Sequence, residues 1–361
     1  MGRICFFNTA IAWGGGEKWH LEVSSYLHGK AHNVLVVAHG KSELLKRVKK
    51  AQIPYEAIEI NNLSFLNPLK HLKIRKLLKQ YDIDTIVMNL SRDVKVAAPS
   101  AKAVGVKSII YRRGSAIPIK NTFLNRYYFK STITDILANS EATKKTVLQN
   151  NANLFPKNKI KVIYNGVEIP QNIEKKEYKE SAKRSEFTIL TLGRLEAQKN
   201  QKFLIHLAKE LLERKLRFKI RIGGEGRLRE ELEKLIVDLK VDGHVTLAGF
   251  IKNPMEFLDN GDIFVLPSLW EGFGYVLAEA ALCKKPIIAF DTSSNPELVV
   301  NNKSGYLIFP GDIKGFADAI ENLYRRPELA KKMGEKGFEY VKSHFDKKRK
   351  LQEIEVYLLN G

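Results

Sequence analysis

The sequence predicts an α/β protein built from two doubly wound, Rossmann-like domains. Three observations carry that prediction. A length of 361 residues exceeds what one hydrophobic core ordinarily serves. Short apolar runs alternate with amphipathic stretches of helical period in both halves. A polar stretch without periodicity, rich in Lys, Glu and Ser, interrupts the alternation once, at 171–186.

The elements follow in order. Strands are read at 4–8, 33–38, 85–90, 107–111, 135–138 and 160–164, each rich in β-branched or aromatic residues and apolar on both faces, as in a parallel sheet covered by helices. Helical periods lie between them at 18–27, 42–50, 69–81 and 140–149. The linker is set at 169–186, and within its stretch 171–186 Ile173 and Tyr178 are the large apolar residues. The rhythm then restarts with strand 187–192, helix 201–213, strand 217–222, helix 227–239, strands 245–248 and 263–267, helix 275–283 and strand 286–290. The tail reads as three helices with breaks near Pro327 and Phe345. The expected domains are 1–168 and 187–344. Open parallel sheets bind ligands at their strand carboxyl ends, so two such mouths facing each other would form a cleft.

Composition narrows the class. With 44% apolar and 28% charged residues the chain is globular, which excludes a disordered or collagenous polymer. Cys5 and Cys283 stand in unlike contexts, so neither a disulfide framework nor a cysteine zinc site is expected, and a reducing cytoplasm fits. No run approaches 18 apolar residues, and the first apolar run breaks at Asn8-Thr9, too soon for a signal-peptide core. The expected location is the cytoplasm. The net charge of +20 is concentrated in residues 1–168, where 27 Lys and Arg face 11 Asp and Glu. Such a field suits nucleic acid, an anionic leaflet or an acidic substrate, or else is a solvated lysine-rich surface.

Four segments depart from what packing asks for. Gly14-Gly15-Gly16 precedes a helix and lets backbone amides approach a ligand, although Trp19 breaks the dinucleotide fingerprint. In the second, Gly193 ends a strand, and Arg194 and Lys199 stand at its mouth, where a forked guanidinium and a compact ammonium suit a diphosphate. The third, Gly223-Gly224-Glu225-Gly226, is another strand-to-helix turn. In the fourth, Glu271 precedes a helix and Glu279 rides on it, with the amides of Gly272, Phe273 and Gly274 between them; carboxylates there accept from sugar hydroxyls while amides meet an anion. Asp82 and Asp84 lie at the start of a strand and read as a capped turn, and the histidines show no ligand spacing, so no metal is proposed.

The fourth segment resembles the E-x7-E motif of the retaining glycosyltransferases of family 4, which have the GT-B fold. The similarity runs along the whole chain, through Gly14–Gly16, Asn139-Ser140-Glu141-Ala142, Tyr164-Asn165-Gly166, Gly193-Arg194 with Lys199, Gly224-Glu225-Gly226 and Glu271 to Glu279. The resemblance implies that Arg194 and Lys199 hold a donor diphosphate, Glu279 the ribose hydroxyls, and Glu271 with the Gly272–Gly274 backbone the transferred sugar. It implies Phe250, Ile251 and Leu228 at the nucleobase, Gly193 and Gly224 at the donor, and Gly15 and Gly16 approaching the phosphates or the acceptor. It also implies that the last helix, 345–361, crosses back onto the first domain. One departure stands out: Arg113 occupies the place of a histidine found in many relatives, so Arg112 and Arg113 are assigned to phosphate or an anionic acceptor.

The expected activity is therefore transfer of a sugar from a nucleotide-diphosphate donor to a hydroxyl of a cell-envelope or lipid-linked glycan, with no metal or other cofactor. Without a clear protein nucleophile, front-face attack is the simpler route, the leaving phosphate receiving the acceptor proton. The first half would meet an anionic membrane at its inner face. Nucleic acid is not expected as a partner, because the cations, glycines and carboxylates gather at strand mouths instead of alternating with aromatics along one face. The alternatives are a sugar-nucleotide epimerase of the same fold and a non-catalytic basic binding protein.

Overall fold

A computed structural model describes residues 2–170 and 186–360, so most of the expected linker, 171–185, lies outside the described residues. The chain divides into two compact units: the first runs to Gly166 and resumes at Lys348, and the second spans Val167 to Lys347.

The first unit is a seven-stranded sheet in the order β3-β2-β1-β4-β5-β6-β7, every pair parallel. Its strands are β1 (Arg3–Asn8), β2 (Asn33–Ala38), β3 (Tyr55–Ala57), β4 (Thr85–Met88), β5 (Ser108–Arg113), β6 (Asp135–Ala138) and β7 (Ile160–Val162). The crossovers are α1 (Gly15–Gly29), α2 (Glu43–Lys50), α3 (Pro68–Gln80), α4 (Ser91–Ala103), α5 (Phe123–Ser131) and α6 (Glu141–Leu148). Side chains alternate across the pleat. Cys5, Phe7, Ile86 and Met88 therefore pack under α3, α4 and α5, while Ile4, Phe6 and Val87 pack under α1 and α2.

The second unit repeats the plan with six parallel strands, β10-β9-β8-β11-β12-β13. These are β8 (Phe187–Leu192), β9 (Phe218–Gly223), β10 (Val245–Gly249), β11 (Ile263–Leu266), β12 (Ile287–Phe290) and β13 (Gly305–Ile308). Its helices are α7 (Gln201–Glu213), α8 (Arg229–Asp238), α9 (Pro254–Asp259), α10 (Tyr275–Leu282), α11 (Asn295–Leu298), α12 (Ile313–Arg325) and α13 (Pro327–His344). Phe203, Phe290 and Phe316 meet edge to face in its core, with centroids 4.8 to 5.8 Å apart.

The last helix, α14 (Lys347–Asn360), belongs to the first unit for nearly all its length. Ile354 and Leu358 join the core beside Trp19, Val23 and Leu27. Glu355 accepts from Tyr26 Oη at 2.8 Å and Lys30 Nζ at 2.6 Å, and lies 3.3 Å from a ring nitrogen of His32.

In both sheets the strand order reverses beside the first strand, between β1 and β4 and between β8 and β11. Those are the topological switch points where sheets of this kind open a ligand crevice. No helix among the described residues is long and apolar enough to cross a membrane.

Candidate active site

At the second unit's switch point the loops after β8 and β11 meet. Lys199 lies in a short 3-10 turn ahead of α7, and its aliphatic stem crosses the face of Gly193. Its ammonium ends 2.5 Å from Glu271 Oε1, both side chains being largely buried. Arg194, two residues past the end of β8, is exposed, and its guanidinium makes no hydrogen bond or ion pair among the described residues. One cation of the pair is thus matched by a carboxylate and the other is open to a ligand.

The two loops are clipped together by residues that sequence reasoning did not single out. Gln198 accepts from Leu269 N through its carbonyl at 2.8 Å and donates from Nε2 to Trp270 O at 2.7 Å. Asn200, held at a left-handed φ of 54°, donates from Nδ2 to Pro267 O at 3.2 Å. Ser294 Oγ donates to the carbonyl of Glu271 itself at 3.3 Å. Only the chemistry of a polar residue beside Lys199 could have hinted at this, since the partners lie about 70 positions away in sequence.

The neighbouring loops complete the mouth. Gly193 N donates to Gly223 O, Leu195 N to Glu225 O and Gly224 N to Gly249 O, lacing the ends of β8, β9 and β10. Gly224 has φ +131°, and a Cβ there would lie 2.0 Å from the Gly193 carbonyl, so no larger residue fits. Phe250, after Gly249, is 78% exposed, whereas Ile251 and Leu228 are half-buried. Gly274 caps α10, Phe273 turns its ring inward against Phe345 at 5.4 Å, and Glu279 stands half-buried on α10. The structure thus gathers the predicted residues of this half on the carboxyl ends of β8 to β11.

The first unit's mouth is built differently. Gly16 at the start of α1 approaches Asn89 so closely that a Cβ would sit 2.4 Å from its Nδ2. Arg112 donates to Asn89 Oδ1 at 2.8 Å and Asn165 Oδ1 at 3.0 Å and stacks 4.5 Å over the Trp19 ring. It is 1% exposed, which places it in the wall and corrects the expectation that it meets an acceptor directly. Arg113 points to the other face, where it bonds the Tyr111 hydroxyl and the Ser115 and Ile117 carbonyls. Burial, reinforced by the Arg112 charge, pushes His20 down to about 3, so its imidazole is neutral beside Gly16 O, 3.0 Å away.

Two carboxylates flank this mouth. Asp93 in the first turn of α4 accepts from Thr9 N at 2.9 Å and Thr9 Oγ1 at 2.5 Å, and Arg92 Nη2 donates to Thr9 O at 2.7 Å. Burial pushes Asp93 up to about 7, against the lowering effect of the Thr9 hydrogen bonds and Arg92. Glu17, 7% exposed, accepts from Asn8 Nδ2 at 3.0 Å. Asp82 and Asp84 pair with Arg3 at the opposite end of β4. Among the described residues no three His, Cys, Asp or Glu side chains cluster to hold a metal ion.

Comparison with known proteins agrees with the architecture. The family described as Glycosyl transferases group 1 matches residues 172–340, and Glycosyltransferase Family 4 matches 13–170. The chain is 30% identical, over 99% of its length and 100% of the relative, to the N-acetylgalactosamine-N,N'-diacetylbacillosaminyl-diphospho-undecaprenol 4-alpha-N-acetylgalactosaminyltransferase of Campylobacter jejuni. It is 28% identical to the UDP-Gal:alpha-D-GlcNAc-diphosphoundecaprenol alpha-1,3-galactosyltransferase of Escherichia coli, over 72% of this chain and 71% of that one. Among solved structures it superposes on Anabaena HepE in complex with UDP with a TM-score of 0.85 at 21% identity, covering 99% of this chain and 100% of that one. That likeness extends the GT-B fold to this chain.

Proposed function

Because the chain belongs to glycosyltransferase family 4, we propose that it moves a hexose, with retention of anomeric configuration, from a nucleotide-diphosphate donor to a hydroxyl of a cell-envelope or lipid-linked glycan. The observation that carries this reading is the second unit's switch point, where exposed Arg194 and Glu271-paired Lys199 stand together at the strand mouth. Cleavage of the donor bond leaves a diphosphate whose charge the two cations and the loop amides of Gly272 to Gly274 stabilise. In this reading the cations do the work for which other transferases use a metal, and no resident cofactor is required. Uridine is the nucleobase the relatives favour, since HepE was solved with UDP and the Escherichia coli relative is named for UDP-Gal.

The lipid-linked acceptor is supported by the two diphospho-undecaprenol-dependent relatives and by the surface of the first unit. Ile74, Leu77 and Leu78 of α3 face the core, whereas Leu63, Leu66, Leu69 and Leu72 before and on α3 are 57 to 72% exposed. Exposed Lys73, Lys76 and Lys79 lie among them, and Phe123 and Tyr127 on α5 stand out beside Arg126 and Lys130. Apolar side chains rimmed by cations suit an anionic bilayer surface. A screen of UDP, GDP and ADP by thermal shift tests the donor half, with UDP expected to raise Tm and no response to any nucleotide expected from a non-catalytic binding protein.

A further inference from the structure

We infer that the first unit carries, at the amino ends of β6 and β7, a site for the phosphate-bearing headgroup of an acidic phospholipid. This rests on the lipid-surface part of the reading above. A cavity of about 470 Å³ opens there, at the end of the sheet opposite its mouth, within the range of about 300–1,000 Å³ usual for small-molecule sites. Leu154 and Phe155 tuck the loop before β7 into the core. Phe129 of α5 meets Phe155 edge to face at 6.3 Å, and together these side chains give the cavity an apolar floor.

Three cations stand around that floor, and no Asp or Glu lines it. Lys130 lies in the last turn of α5, and Lys157 and Lys159 lie in the short 3-10 turn that follows the buried Leu154-Phe155 pair. Their ammonium groups make no hydrogen bond or ion pair among the described residues. Asp135, the acid next in sequence to the lining residue Thr134, is turned by strand alternation to the other face of β6, where its charge acts on Tyr357 of α14. Like charges gathered without a counter-charge repel one another, and an anion that enters relieves the repulsion. The same helix says which anion. Phe123, Tyr127 and Lys130 are spaced four and three apart, which puts them on one face of α5, and Phe123 and Tyr127 are 74% and 51% exposed. An apolar stripe that ends at a basic cavity matches the order of acyl chain and phosphate along a phospholipid, whereas a free phosphate leaves the stripe unused.

The test is calorimetry on the full chain with dihexanoylphosphatidylglycerol below its micelle concentration, beside the phosphatidylcholine of the same chains and inorganic phosphate. The wild type should bind the acidic lipid at least roughly 10-fold more tightly than either of the others. Lys130→Ala with Lys157→Ala and Lys159→Ala should weaken that binding by at least roughly 10-fold. Ala152→Trp, which keeps all three cations and fills the cavity from an exposed lining position, should do the same. A control on exposed lysines of the second unit, Lys209→Ala with Lys234→Ala and Lys314→Ala, makes the same change in net charge and should bind as the wild type does. Wild-type affinity in either cavity variant, an equal loss in the control, or inorganic phosphate or the phosphatidylcholine binding as tightly as the acidic lipid overturns the assignment. Vesicle retention is read separately: acidic vesicles that hold the wild type and both cavity variants alike leave the surface reading standing and overturn the site.

Discussion

Lys199 Nζ and Glu271 Oε1, from loops 72 residues apart, sit 2.5 Å from each other at the point where the second sheet reverses its strand order. Arg194, at the head of the first of those loops, is exposed and unpaired among the described residues. The two cations consequently differ in what they do for the fold, and mutation should separate them. Arg194→Ala should leave Tm within about a degree or two, as surface substitutions within about 0.5 kcal/mol do, and cost about 2–4 kcal/mol of transition-state stabilisation. Lys199→Ala should cost activity on the same scale and also lower Tm, because it strands the buried Glu271 carboxylate. Equal thermal stability of the two variants would contradict this division.

The paired carboxylates should also part company. Glu271→Gln removes the charge that competes with a diphosphate for Lys199, so UDP should bind at least as tightly as in the wild type while kcat falls. Glu279→Gln, on α10, should instead weaken UDP itself. Calorimetry on both variants checks this, and a loss of UDP affinity in Glu271→Gln would be the wrong outcome.

Much of this was legible in the sequence because parallel strands carry dense, two-sided apolar runs. The runs 33–38, 135–138 and 187–192 coincide with β2, β6 and β8. The short edge strands β3 and β13 escaped, since Tyr55–Ala57 is three partly exposed residues and Gly305–Ile308 opens on a glycine. Arg112 was misplaced for a related reason. β5 runs two residues past the expected end at 111, and strand alternation then sends Arg112 inward and Arg113 to the opposite face. Lys199 and Glu271 were legible as strand-mouth residues, but their contact was not, because it depends on Gln198 and Asn200 reaching distant carbonyls.

Asp93 should give the first unit a measurable pH dependence. Its folded value of about 7 lies above the ordinary 3.8, so between these the folded chain holds a proton that the unfolded chain releases. The stabilisation this provides is fully present near pH 4, is lost as pH rises towards 7, and changes no further above that. Asp93→Asn should flatten the curve, with a difference of a few kcal/mol across the window. Parallel stability curves for the two proteins between pH 4 and 7 would show that Asp93 ionises normally.

The exposed leucines of α3 should matter to lipid and not to folding. Liposomes containing acidic lipid should retain the protein at low salt and release it as ionic strength rises, since exposed charges are screened beyond about 8 Å at 0.15 M. Leu69→Glu with Leu72→Glu should abolish retention at unchanged Tm, both side chains being exposed. Retention that survives this double substitution would move the contact elsewhere.

The most direct test of the donor site is a calorimetric titration of UDP into the wild type and Arg194→Ala. If the cation at the second unit's strand mouth holds the donor diphosphate, the wild type binds and Arg194→Ala binds at least ~10-fold more weakly, about 1.4 kcal/mol, with its fold intact. Equal affinity in the two proteins would contradict the account.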